Sequence, residues 1–261
     1  MVKAGARGSR ASPGAAQEPV PGGDPEAVLR GRGPNGRYAL APAAVAGCLL
    51  AVLTWQVIDG GVLTALDQPG YRWAVRRGSS TRFGRPWALL TGLGEGRIMV
   101  PAVTLLAAAA WRRRGLGWRP VPGLLGIPAA SLVLVLGLVA AAKPAVGRAY
   151  PGSDGDAFAG GSAFPSGHAA GAAVACGVAG YLLCLLAGTE HRPGCARLCL
   201  AAGGLGGLGA GAAMVRLGYH WPTDSAGGWL MGMAVLDLML VALARAGGLT
   251  SARMTAHRAG S

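Results

Sequence analysis

The sequence predicts an all-α fold, an integral membrane bundle of about six transmembrane helices. Three observations carry that prediction. Only 13% of the 261 residues are charged against 52% hydrophobic, whereas a water-soluble domain carries about 25% charged residues. Six apolar stretches each come close to the roughly 20 residues needed to cross a hydrocarbon core. The arginines fall between these stretches, as they do when charge orients a chain in lipid. That placement argues against nucleic acid as the partner of the net charge of +13, since a nucleic-acid footprint is a basic stripe along one face.

Taken in order, residues 1–37 are rich in Gly, Pro, Ala and Arg and have no apolar periodicity. Such a segment cannot bury enough surface to offset its chain entropy, so a disordered basic tail is expected. It also lacks the apolar core of a signal peptide, so the first span is read as uncleaved. The spans are expected at 39–58, 87–110, 121–142, 168–188, 198–215 and 225–244. The second is interrupted by Glu95 and Arg97, which could pair within the membrane or support a nearby site. The fifth is mostly Gly and Ala and only weakly hydropathic. Together they define a membrane domain over 38–245, followed by a short cytoplasmic tail at 246–261.

Lys and Arg concentrate on the cytoplasmic side of membrane proteins. With both termini inside, fifteen of the 24 Lys and Arg lie on the inner side and nine on the outer side. The Trp111-Arg-Arg-Arg run after the second span fixes the inner side. The loop from 59 to 86 is the exception, with five arginines that Asp59 and Asp67 hardly compensate. This topology brings three polar islands to one face of the bundle, the outer one: Lys143 to Arg148, Ala163 to His168, and Arg216 to Asp224.

Each island has a chemistry. Pro165-Ser166-Gly167-His168 stands at a helix start, where Ser caps, Gly lets a ligand approach, and free backbone N–H groups attract phosphate. His220 and Asp224 are four apart, so a carboxylate can hold one ring nitrogen and leave the other free to attack. Lys143, Arg148 and Arg216 offer cations to an oxyanion. Other patterns carry less. Gly204-Leu-Gly206-Gly-Leu-Gly209 fits GxGxxG but follows no strand, and close helix packing explains it better. The five cysteines form no disulfide framework. Cys195 and Cys199 beside His191 lack structural-zinc spacing, so no metal is expected.

Together these residues resemble the type 2 phosphatidic acid phosphatase superfamily, which also holds the vanadium haloperoxidases and bacterial polyprenyl-diphosphate phosphatases. The family pattern is K-x6-R-P, then P-S-G-H, then S-R-x5-H-x3-D. Pro165 to His168 match the middle motif in full, and His220 and Asp224 have the spacing of the third. Tyr150 stands where the first arginine belongs, with Pro151 following as it should and Arg148 two positions early. Ala213-Met214 stand for Ser-Arg, with Arg216 two positions late.

The resemblance implies an acid-phosphatase/haloperoxidase-like helical core and metal-independent hydrolysis without a cofactor. In it His220 would be the nucleophile, Asp224 its orienter, and His168 the acid and water activator. Lys143, Arg148, Ser166, Gly167 and Arg216 would bind the substrate phosphate. The expected function is a membrane lipid-phosphate phosphohydrolase acting on a polyprenyl (di)phosphate or phosphatidate-type lipid, with its site on the extracytoplasmic face. A noncatalytic lipid-binding relative and a membrane phosphotransferase are the alternatives.

Overall fold

In the computed structural model, residues 40–76, 84–113, 125–152, 162–190 and 192–259 are described. The tail at 1–37, Arg77, Arg82, Arg114, Arg119 and His191 lie outside them. The elements are α1 (Ala41–Asp59), α2 (Val62–Ala65), α3 (Asp67–Arg76), α4 (Gly84–Gly92), α5 (Gly96–Arg113), α6 (Ile127–Val146), α7 (Gly167–Ala187), α8 (Pro193–Arg216) and α9 (Pro222–Ala259). Among the described residues there is no strand.

Among the described residues, five helices are long and apolar enough to cross a membrane. The pair α4 and α5, bent by 59° where the sequence reading placed its interruption, has the geometry of a broken sixth span or of a re-entrant loop. The weakly hydropathic fifth stretch is a continuous helix, α8. The last helix runs on to Ala259, through the residues read as a short tail.

The spans differ in depth. In α7, 72% of the apolar window is buried, against 11% in α1, so α7 is the axis of the bundle and α1 its periphery. Val174, Val178, Leu182 and Leu185 of α7 pack with Val135 and Val139 of α6 and with Leu236 and Met239 of α9. Leu49, Leu89, Val133 and Leu205 point outward, as befits a molecule whose solvent is lipid.

Small residues set the closest approach. A Cβ on Gly203 would stand 2.6 Å from the Ala173 carbonyl oxygen, and one on Gly207 2.9 Å from the Ala173 Cβ. Gly203 and Gly207 of α8 therefore form a packing surface against α7, and a larger residue at either would force the helices apart. At the other end of the molecule the carboxylate of Asp237, 6% exposed on α9, accepts the Ala43 N–H at 3.1 Å. It thereby satisfies one of the amides that the first turn of α1 leaves without an intrahelical partner.

Candidate active site

The three polar islands meet at one end of the bundle, and local rules of chain geometry place each. Helix α6 stops at Gly147, whose φ of 64° belongs to the left-handed region, and its N–H returns to the Lys143 carbonyl at 3.0 Å. Glycine takes that conformation without a Cβ penalty. The turn carries Arg148 and Tyr150 back over the helix end. There Arg148 N–H donates to Ser162 Oγ at 2.9 Å, and Ala163 N–H donates to the Arg148 carbonyl at 2.8 Å.

Ser166 caps α7 as expected, its hydroxyl accepting from Ala169 N–H at 3.4 Å. The residue is wholly buried, and its own N–H donates to the Asp224 carbonyl at 2.9 Å. This leaves the amides of Gly167 and His168 as the opening of the helix, where N–H groups lack intrahelical partners. Glycines allow the tight fit. A Cβ on Gly228 of α9 would collide with the Ser166 carbonyl oxygen, and one on Gly94, in the break between α4 and α5, with the backbone of His168.

Helix α9 begins with Trp221 as cap and Pro222 at its first position. Asp224 Oδ2 reaches back to accept the Trp221 N–H at 2.9 Å, the reciprocal half of a capping box. The same oxygen faces His220 Nδ1 at 3.4 Å. His220 is 4% exposed and Asp224 fully buried. The His220 ring lies 5.6 Å from that of Tyr150, whose hydroxyl donates to the Ser162 carbonyl at 3.0 Å. Lys143 Nζ donates to the same carbonyl and, at 3.3 Å, to the Tyr150 hydroxyl. His168 is half-buried and within electrostatic reach of His220, Glu95 and Lys143. Glu95 itself pairs with the exposed Arg97 at 2.5 Å.

The two arginines fare differently from the sequence reading. Arg148 donates through Nη1 to Asp224 Oδ1 and Thr223 Oγ1, both at 2.6 Å, and through Nη2 to Asp67 Oδ2 at 2.5 Å. Its charge is thus set between two carboxylates. Met214, at the register of the family arginine, is buried, and Arg216 is turned about 200° from it on α8. There Arg216 Nη1 donates to the Ala74 carbonyl at 2.7 Å, and its guanidinium lies 5.6 Å from the Trp87 ring. Two site residues were missed by sequence reasoning. Asp67, 3% exposed, accepts from Thr223 N–H at 2.9 Å, from the Thr223 hydroxyl at 2.7 Å and from Arg148. Tyr150 was seen only as a departure from a motif. Among the described residues, no group of three His, Cys, Asp or Glu could hold a metal ion.

An apolar, multi-pass helical bundle with His168, His220, Lys143, Asp67 and Asp224 gathered at one end defines the class, a polytopic membrane protein with a polar site at the helix ends. Residues 124–247, a segment that holds all eight residues singled out from the sequence, match the family model described as the PAP2 superfamily. The fold also matches the crystal structure of a transmembrane PAP2-type phosphatidylglycerolphosphate phosphatase from Bacillus subtilis. That match has a TM-score of 0.61 and 21% identity, over 76% of this chain and 93% of the other. At this identity the likeness is one of fold. No curated protein matches the sequence.

Proposed function

We propose that the chain is a lipid-phosphate phosphohydrolase working through a phosphohistidine on His220. The observation that carries this reading is the His220 Nδ1 to Asp224 Oδ2 contact at 3.4 Å, in the field of His168. With Nδ1–H directed at the carboxylate, the Nε2 lone pair is free to attack phosphorus. The P–N bond forms as the P–O bond to the lipid breaks, and His168 gives its proton to the departing oxygen. His168 then takes a proton from water, whose oxygen displaces His220 and releases inorganic phosphate. Lys143 and the Gly167 and His168 amides face the nonbridging oxygens, where preorganised donors are most effective. Arg148 acts on this chemistry through Asp224.

The apolar spans suit a substrate with a hydrocarbon tail, and the fifteen-to-nine arginine and lysine bias supports a site on the extracytoplasmic face of the cell membrane. Polyprenyl phosphates, their diphosphates and phosphatidate-type lipids remain the substrate class, to which the fold neighbour adds phosphatidylglycerolphosphate. The test is phosphate release from a panel of these lipids by detergent-purified protein. Release should persist in EDTA and fall at least about 10³-fold in His220→Ala, as loss of a nucleophile requires. A His220→Ala protein as fast as wild type overturns the mechanism.

A second reading has its own observation. Tyr150 and Met214 stand where the family places arginines, and Arg148 is already set between carboxylates. A noncatalytic lipid-binding relative would bind lipid phosphates yet form no phosphoenzyme with radiolabelled substrate.

A further inference from the structure

We infer that Asp67, on the short helix α3 and outside the family segment, is a positioning residue for the chemistry at His220. The inference rests on the function proposed above. A carboxylate 3% exposed is costly to bury unless charge and hydrogen bonds compensate it. Here both oxygens are occupied from one direction: Oδ1 by Thr223 N–H at 2.9 Å, and Oδ2 by the Thr223 hydroxyl at 2.7 Å and Arg148 Nη2 at 2.5 Å. Because the Thr223 hydroxyl donates to Asp67, it presents a lone pair to Arg148 Nη1 at 2.6 Å. The same Nη1 reaches Asp224 Oδ1 at 2.6 Å.

The guanidinium is a rigid planar fork. Fixing Nη2 on Asp67 therefore fixes where Nη1 meets Asp224, and a carboxylate held at Oδ1 cannot turn its Oδ2 away from His220. Helix α3 is itself anchored to the same turn: Tyr71 packs on Trp221 with ring centroids 5.3 Å apart, and Gly70 lies against Pro222. Without Asp67 the fork is free to swing onto both oxygens of Asp224 or toward an arriving phosphate. Either movement loosens Asp224 and leaves its Oδ2 held toward His220 by the Trp221 N–H alone. Asp67 thus acts at a distance of two residues, through Arg148 and Asp224, and touches no reacting atom.

The test uses the full chain in detergent micelles with ¹⁵N-labelled histidine. The chain has four histidines, so the His220 signals are assigned by their loss in His220→Gln. Wild type should show His220 protonated on Nδ1 as a single tautomer. Asp67→Asn puts an amide N–H against a donor, and Thr223→Val removes the hydroxyl but keeps the backbone bond. Both variants should give a mixture of tautomers and lower kcat about 10- to 100-fold, the scale of a misplacement near 1 Å. KM should stay within about threefold, because no phosphate contact is lost. An unchanged tautomer in both variants overturns the inference. So does a kcat loss matched by loss of folded protein, with the remaining fraction in the wild-type tautomer. If wild type releases no phosphate from any lipid phosphate, the proposed function fails, and the tautomer comparison still decides the positioning role.

Discussion

Gly228→Ala probes whether the start of α7 and the start of α9 act as one machine. Gly228 sits one helical turn beyond Asp224, whose carbonyl accepts Ser166 N–H at 2.9 Å. An alanine methyl there would overlap the Ser166 carbonyl oxygen and lie 3.0 Å from the Ser166 carbonyl carbon and 3.2 Å from the Ala169 Cβ. The first neighbours are backbone atoms, which cannot rotate aside, so the helices must separate by about 1 Å, and overpacking of this kind costs about 1–3 kcal/mol. The gain from replacing a helical glycine, about 0.5–1 kcal/mol, offsets part of it. The larger effect is on rate, since 1 Å between catalytic groups is worth about 10²-fold. Phosphate release and thermal unfolding in the same detergent measure the two separately. Gly204→Ala is the control, because nothing lies within 4 Å of its Cβ position. It should keep kcat within about twofold and gain a few tenths to 1 kcal/mol. A Gly228→Ala protein with lowered unfolding temperature but wild-type kcat would refute the reasoning.

Three further outcomes follow from the same contacts. Arg148→Met leaves Asp67 and Asp224 buried without their cation and should cost about 3–5 kcal/mol in denaturant unfolding, partly recovered by adding Asp67→Asn. Unchanged stability with a raised KM would instead make Arg148 a substrate ligand. Tyr150→Phe removes the hydroxyl bonded to Lys143 Nζ; a hydrogen bond to a charged group is worth about 1.5–3 kcal/mol, so KM for lipid phosphate should rise about tenfold or more, and an unchanged KM would show that Lys143 needs no such partner. Asp237→Ala strips the buried Ala43 N–H of its acceptor and should destabilise the protein by about 1–2 kcal/mol, with kcat per folded molecule unaltered.

Much of this was legible in the chain, for definite reasons. A span is a local property, so the six apolar stretches were found from composition alone, including the break at Glu95 and Arg97. His168, His220 and Asp224 belong to short motifs, and Ser166 announces itself as a cap. The arginines were harder. Arg148 has two donors of one fork on residues 75 and 81 positions away, a distance that no periodicity encodes. Asp67 lay in the arginine-rich loop from 59 to 86, where its charge read as weak compensation for topology. The signal that could have found it was its place as the first residue of a helix, following an apolar run and close to a site needing a counter-ion. Met214 and Arg216 were legible as a displacement, but their destinations depend on which face of α8 meets α3 and α4. Only the packed bundle decides that.

The bond between Asp237 and Ala43 joins residues 194 positions apart, one on α1 and the other on α9. At a synthesis rate of about 5–20 residues per second, about 10–40 s separate the appearance of the two partners. During that interval the leading turn of α1 must find its acceptors in water or lipid headgroups. Helix α1, made long before the acceptor it needs, is therefore among the last to reach its final hydrogen bonding. Its seat on the bundle is reserved for it by a residue not yet made, so a chain interrupted before position 237 should leave α1 afloat in the membrane and open to the machinery that removes unassembled helices.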